Sequence, residues 1–238
     1  LGQTGSGKTT LGAFLMRVRQ YVLVPDAKGG DRTLDSLGWP RVRQWPLPRR
    51  YRDRVKDGEP VRVIIGIRVN SKEDFEKNAA LLRKVIASVF GQGKWTLWCD
   101  EGQVLSDRRY VDAGDDLEKL LIIARDRLVS IVYSVQRPQI GRTTPAASAA
   151  YSQSDWLFVS NTRDTRVHDR LAEIAGRPAA EMRGLIEALP RYTWACIGLD
   201  PTEPIRLVTP PALRPVSTRT QSASSRDKFS TFMWGDAA

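Results

Sequence analysis

The run Gly2-Gln3-Thr4-Gly5-Ser6-Gly7-Lys8-Thr9, followed by Thr10, fits the pattern G-x-x-x-x-G-K-[ST]. Its glycines let the backbone wrap tightly, so that successive N–H groups face phosphate oxygens. A helix starting at the end of the run adds its positive pole. In that arrangement Lys8 bridges the β- and γ-phosphates and Thr9 ligates Mg²⁺. The plain alternative is a glycine-rich turn ahead of a helix, and the complete pattern argues against it. A second cluster lies 92 residues after Lys8, where the apolar run Trp95–Cys99 ends in Asp100-Glu101. Asp100 is placed to hold Mg²⁺, directly or through water, and Glu101 to polarise an attacking water as general base. The second carboxylate favours hydrolysis of ATP over kinase or GTPase chemistry. Gln136 ends the following apolar run. A polar side chain there can sense the γ-phosphate or position the water, or be no more than a strand-end amide.

These groups are useful only if the fold brings them together. Leu11, Phe14, Leu15 and Val18 recur at helical spacing within 10–20, directly after the loop. Strands are predicted at Tyr21–Val24, Val61–Arg68, Trp95–Cys99, Ser130–Val135 and Asp155–Ser160. Helices are predicted over 71–90, with Ser71 as N-cap, and over 115–127, 166–175 and 179–189. Thr193–Leu199 and Ile205–Val208 read as a hairpin. This alternation predicts an α/β fold, a mostly parallel sheet covered by helices on both faces. Ligands of such sheets sit at the carboxyl ends of the strands, where Asp100, Glu101 and Gln136 all fall. A phosphate loop normally follows a buried strand, and here it begins at Gly2. The expectation is that a first strand is missing from the chain. Residues 1–208 are read as one ATPase domain and 209–238 as a basic, disordered tail. Residues 39–60, rich in Pro, Arg and Trp without a clear period, are read as a loop or insertion.

With 238 residues, 41% of them hydrophobic and 27% charged, the chain can bury a full core. No apolar run reaches the ~18 residues of a membrane span. No signal peptide is visible, so a cytoplasmic location is expected. Cys99 and Cys196 lack metal-ligand spacing and read as reduced, buried thiols. The single His168 cannot build a metal cluster or a triad. A net charge of +10, with 28 Arg to 9 Lys, suggests a polyanionic partner, nucleic acid before membrane. Within 41–54 (RVRQWPLPRRYRDR), arginines suit phosphate contacts, and Trp45 and Tyr51 could stack on bases or sugars. A basic loop touching a neighbouring subunit explains the same run equally well.

Asp100-Glu101 resembles a Walker B motif. The stretch 124–138, ARDRLVSIVYSVQRP, resembles the "GR…(apolar strand)…TQRP" segment of the FtsK/HerA superfamily. Ala124 stands where that pattern has Gly, and Val135 where it has Thr. Pro25-Asp26-Ala27-Lys28-Gly29 is similar to the "DPKG" after that family's second strand. Asp155-Trp156-Leu157-Phe158 with Asn161 and Arg163 is similar to its last core strand. The resemblance spans roughly 2–200 and implies a RecA-like ASCE P-loop NTPase that binds ATP and Mg²⁺. It places Arg125 as an arginine finger acting on ATP of the neighbouring subunit, with Arg127 as competitor, and so implies a homo-oligomeric ring, a pentamer or hexamer. It further implies nonspecific double-stranded DNA as cargo and a portal, capsid or pore protein as docking partner. A small genome-packaging motor of a phage or mobile element, working in host cytoplasm or on the virion, fits best. A filamentous-phage assembly or conjugation-type ATPase, an ATP-binding switch or scaffold, and a P-loop kinase are the rivals.

Overall fold

The computed structural model describes residues 1–2, 5–135, 145–198, 200 and 202–212. Four strands of high apolar content, β1 (Tyr21–Pro25), β3 (Val61–Ile65), β4 (Thr96–Cys99) and β5 (Ser130–Tyr133), form the body of a sheet. The two-residue β2 (Arg41–Val42) extends its edge, and the order is β2-β3-β1-β4-β5. Every neighbouring pair is parallel, with Leu23 opposite Val63 on one side and Leu97 on the other. Parallel strands are buried on both faces, which explains the unbroken burial of β4.

Alternate residues feed two cores. Leu23, Val63, Leu97 and Cys99 face α4 (Lys72–Gln92) and α6 (Gly114–Ile123), against Leu82, Val85, Ile86, Leu117 and Leu120. Val22, Val24, Ile64 and Trp98 face the other way, against Ala13 and Met16 of α1 (Lys8–Met16) and Leu34 of α2 (Arg32–Asp35). Ser71 caps α4 as expected, its Oγ accepting from the Asp74 N–H at 3.1 Å. The helix ends at Gly93, whose backbone at φ 64° and ψ −177° a side chain would strain.

A second, three-stranded antiparallel sheet, β6-β7-β8, follows, made of β6 (Trp156–Ser160), β7 (Trp194–Gly198) and β8 (Arg206–Val208). Its core joins Leu157, Val159, Ala195 and Ile197 to α8 (Thr165–Ala175) and α9 (Ala179–Ala188). Leu1 and Gly2 lie between the sheets. Leu1 bonds to Phe158 and Ser160 of β6, and the Gly2 N–H donates to Val135 just beyond β5. His168 is completely buried, with Nε2 at 2.8 Å from the Thr162 carbonyl. Both cysteines are free and buried. Among the described residues no helix is long and apolar enough to cross a membrane.

The segment 39–60 differs from the expectation of a loop. It contains β2 and α3 (Arg49–Lys56). Trp45, Leu47 and Tyr51 are buried in the main core, so these aromatics cannot stack on nucleic acid. The arginines between them face solvent. Short α5 (Gly102–Ser106) and alanine-rich α7 (Pro145–Gln153) were also not anticipated.

Helix α1 approaches the sheet closely at Gly12, where a Cβ would fall 2.3 Å from Cζ2 of the buried Trp98. Gly12→Val should therefore lose about 3 kcal/mol of stability in urea denaturation. Gly91 of α4 has nothing within 4 Å, and Gly91→Ala should gain about 0.5–1 kcal/mol.

Candidate nucleotide site

Two glycines shape the loop. Gly5 has φ 79° in open space, and Gly7 has φ 87° at the N-cap of α1. A side chain at either would be strained. Gly2 is held by space instead, because a Cβ would fall 2.4 Å from Ser6 Oγ and 2.6 Å from Ser160 Oγ. The buried hydroxyl of Ser6 has no partner among the described residues. Lys8 Nζ donates to the Gly2 carbonyl at 2.7 Å, folding the side chain back over the loop. Burial pushes its ammonium below the ordinary lysine value. Asp100 and Glu101 pull it back up, and Lys28 opposes them. Thr10 follows on the first turn of α1. Gln3 and Thr4 lie outside the described residues, as does Gln136.

Strand β4 delivers the acids to the foot of α1. The Thr9 hydroxyl donates to Asp100 Oδ2 at 2.8 Å. Asp100 is buried, and its Oδ1 has no hydrogen-bond partner among the described residues. Burial raises its pKa to about 6, against the Thr9 hydrogen bond, while Asp31 and Glu101 push it further up and Lys8 draws it down. An orphaned, buried carboxylate oxygen beside a threonine hydroxyl fits Mg²⁺, which takes one or two protein ligands and completes its shell with phosphate and water. The residues present thus suit the metal.

Glu101 is partly buried beside Asp100 and forms an ion pair with Lys28. That lysine comes from the turn after β1, which adjoins β4 in the sheet. The turn is built on Asp26, only 2% exposed. Its carboxylate accepts from the N–H groups of Lys28, Gly29 and Asp31 and pairs with Arg41 at 2.8 Å. Arg41 also binds Asp35 at 2.7 Å. Burial lowers the Lys28 pKa, but its hydrogen bond to Glu101, with the charges of Glu101, Asp31 and Asp100, outweighs this and holds it above the ordinary lysine value. No local pattern gives Lys28 a role in the site. Its signal was the Asp-x-x-Gly turn closing a strand, and its partner depends on strand order.

Arg125 lies elsewhere. It precedes β5 and is exposed and paired with Asp155. The four residues of β5 span about 13 Å. Arg125 is thus at the amino end of the sheet, opposite Thr9 and Asp100, and does not reach them in its own chain. Arg127 covers the Phe90 ring at 5.4 Å.

The raised Asp100 pKa carries a stability consequence. The folded state gains relative stability below the unfolded value of 3.8 and loses it as pH rises through about 6. Asp100→Asn removes the charge. It should stabilise the nucleotide- and metal-free protein by roughly 3 kcal/mol at pH 7.5, with the gain vanishing near pH 4. Denaturant titration at the two pH values checks this.

No protein-family model matches the sequence, and no curated protein does. Among solved structures the chain is similar to the genome packaging NTPase B204 from Sulfolobus turreted icosahedral virus 2. Against its complex with ATP-gammaS the TM-score is 0.52 at 16% identity, covering 88% of this chain and 94% of that one. Against its complex with AMPPCP the values are 0.51 and 15%, with the same coverage. The likeness is one of fold: an α/β architecture with a five-stranded parallel sheet flanked by helices, matching that of a P-loop NTPase.

Proposed function

We propose that the chain is an ATPase that moves double-stranded DNA as the motor of a genome-packaging machine in a phage or related element. The observation that carries the ATPase reading is the Thr9–Asp100 hydrogen bond, with a buried carboxylate oxygen beside Glu101 that has no partner among the described residues. Lys8 and the loop N–H groups bind the triphosphate and oppose charge on the transferring phosphoryl group. Thr9 and Asp100 hold Mg²⁺, which when bound neutralises charge on the β- and γ-phosphates. Glu101 aligns the attacking water and takes its proton. In this reading Gln136 senses the γ-phosphate. Residues 1–208 form the motor body and 209–238 a basic tail.

Arg125 acts on the ATP of a neighbouring subunit in a pentameric or hexameric ring. Its exposure and its distance from its own site support this. The fold likeness to a genome packaging NTPase supports the cargo, as does α3. On that helix Arg52 and Lys56, one turn apart, face solvent and make no ion pair among the described residues. They suit nonspecific contact with DNA phosphates. A portal, capsid or pore protein docks the ring, in host cytoplasm or on the virion.

Three measurements test this. DNA should raise ATP turnover several-fold, and Glu101→Gln should lower it about 100-fold with nucleotide binding retained. Turnover that is slow and indifferent to DNA leaves an ATP-binding switch and no pump. Arg125→Ala should be equally inactive, yet mixing it with Glu101→Gln subunits should restore part of the activity at boundaries that combine both intact residues. No recovery on mixing removes Arg125 from its trans role. Joint substitution of Arg52 and Lys56 by Ala should reduce the slope of log affinity for DNA against log salt by about 2 for each subunit in contact with DNA.

A further inference from the structure

Tyr192 lies in the turn between α9 and β7, closed by a hydrogen bond from the Thr193 N–H to the Pro190 carbonyl at 3.1 Å. This turn runs along the phosphate loop. Trp194 packs on Gly2, where a Cβ would fall 2.9 Å from its ring, and Tyr192 packs on Gly7, where the same atom would fall 3.2 Å from Cδ1. Tyr192 holds left-handed backbone, φ 64°, which a bulky side chain rarely adopts. The residue is nevertheless 47% exposed. Neither burial nor backbone preference explains a tyrosine here, and strain of this kind concentrates at ligand sites. The Arg191 guanidinium sits over the ring, 4.8 Å from its centroid.

Strand order fixes the direction of a bound nucleotide. Glu101 ends β4, two places from Leu1-Gly2 on one side, and Tyr192 precedes β7, two places away on the other. Four spacings of ~4.8 Å separate them by about 19 Å. A triphosphate with its terminal phosphate at Glu101 therefore directs its base away from β4, toward the flank that carries Tyr192.

We propose that Tyr192, backed by Arg191, is the platform on which the nucleotide base stacks. The inference rests on the nucleotide-site reading above. Aromatic stacking tolerates any base, because each presents a π-face. Tyr192 therefore adds affinity for nucleotides over bare polyphosphate without choosing strongly among bases.

The test is calorimetric titration of the full chain with Mg²⁺-ATP and with Mg²⁺-tripolyphosphate, which has no base. Tyr192→Ala should weaken ATP about tenfold while leaving tripolyphosphate within twofold, and Tyr192→Phe should bind both like the wild type. Unchanged ATP affinity in Tyr192→Ala overturns the proposal. So does equal weakening of both ligands, which would mean that the loop itself is deformed. If wild type binds tripolyphosphate no better than Lys8→Ala, the phosphate-loop reading fails first, and this inference with it.

Discussion

One hydrogen bond organises this molecule. The Thr9 hydroxyl at the start of α1 meets the Asp100 carboxylate at the end of β4. For it to form, α1 must cross the sheet closely enough for Gly12 to touch Trp98, and β4 must be central enough to bury an acid at its tip. The loop must also reverse within a few residues, which requires Gly5 and Gly7 at positive φ. Each condition costs stability locally, and the cores on both sheet faces offset it.

Two buried aspartates show how structure and chemistry divide the same side chain. Asp26 is surrounded by donors, three backbone N–H groups and Arg41, and its turn is fixed. Asp100 has the Thr9 hydroxyl on one oxygen and, among the described residues, nothing on the other. The first serves architecture, for a satisfied carboxylate has no capacity left. The second keeps capacity for a cation, at the expense of a raised pKa. The two are linked, because the turn built on Asp26 carries the lysine that grips Glu101.

Much of this was legible in the sequence. The phosphate loop and the Asp100-Glu101 pair announce themselves by residue type, and the strands by continuous apolar runs between turn residues. What escaped has physical causes. In α3 the buried Tyr51 is interleaved with arginines, so its period was masked by charge. In α7 the buried face is alanine, which gives little contrast with its other side. The Lys28–Glu101 pair depends on β1 lying beside β4, which no local pattern encodes. Tyr192 is an aromatic in a turn, distinguished by its contact with Gly7, its backbone and the arginine over its ring, all of which need the fold. The expectation for Gln136 falls outside the described residues.

The burial of His168 bears on how the protein meets its surroundings. It is the only histidine in the chain, and it is sealed in the second core. No imidazole therefore reaches solvent, and the surface charge comes from guanidinium, ammonium and carboxylate groups. The imidazole meets solvent only when the second core opens.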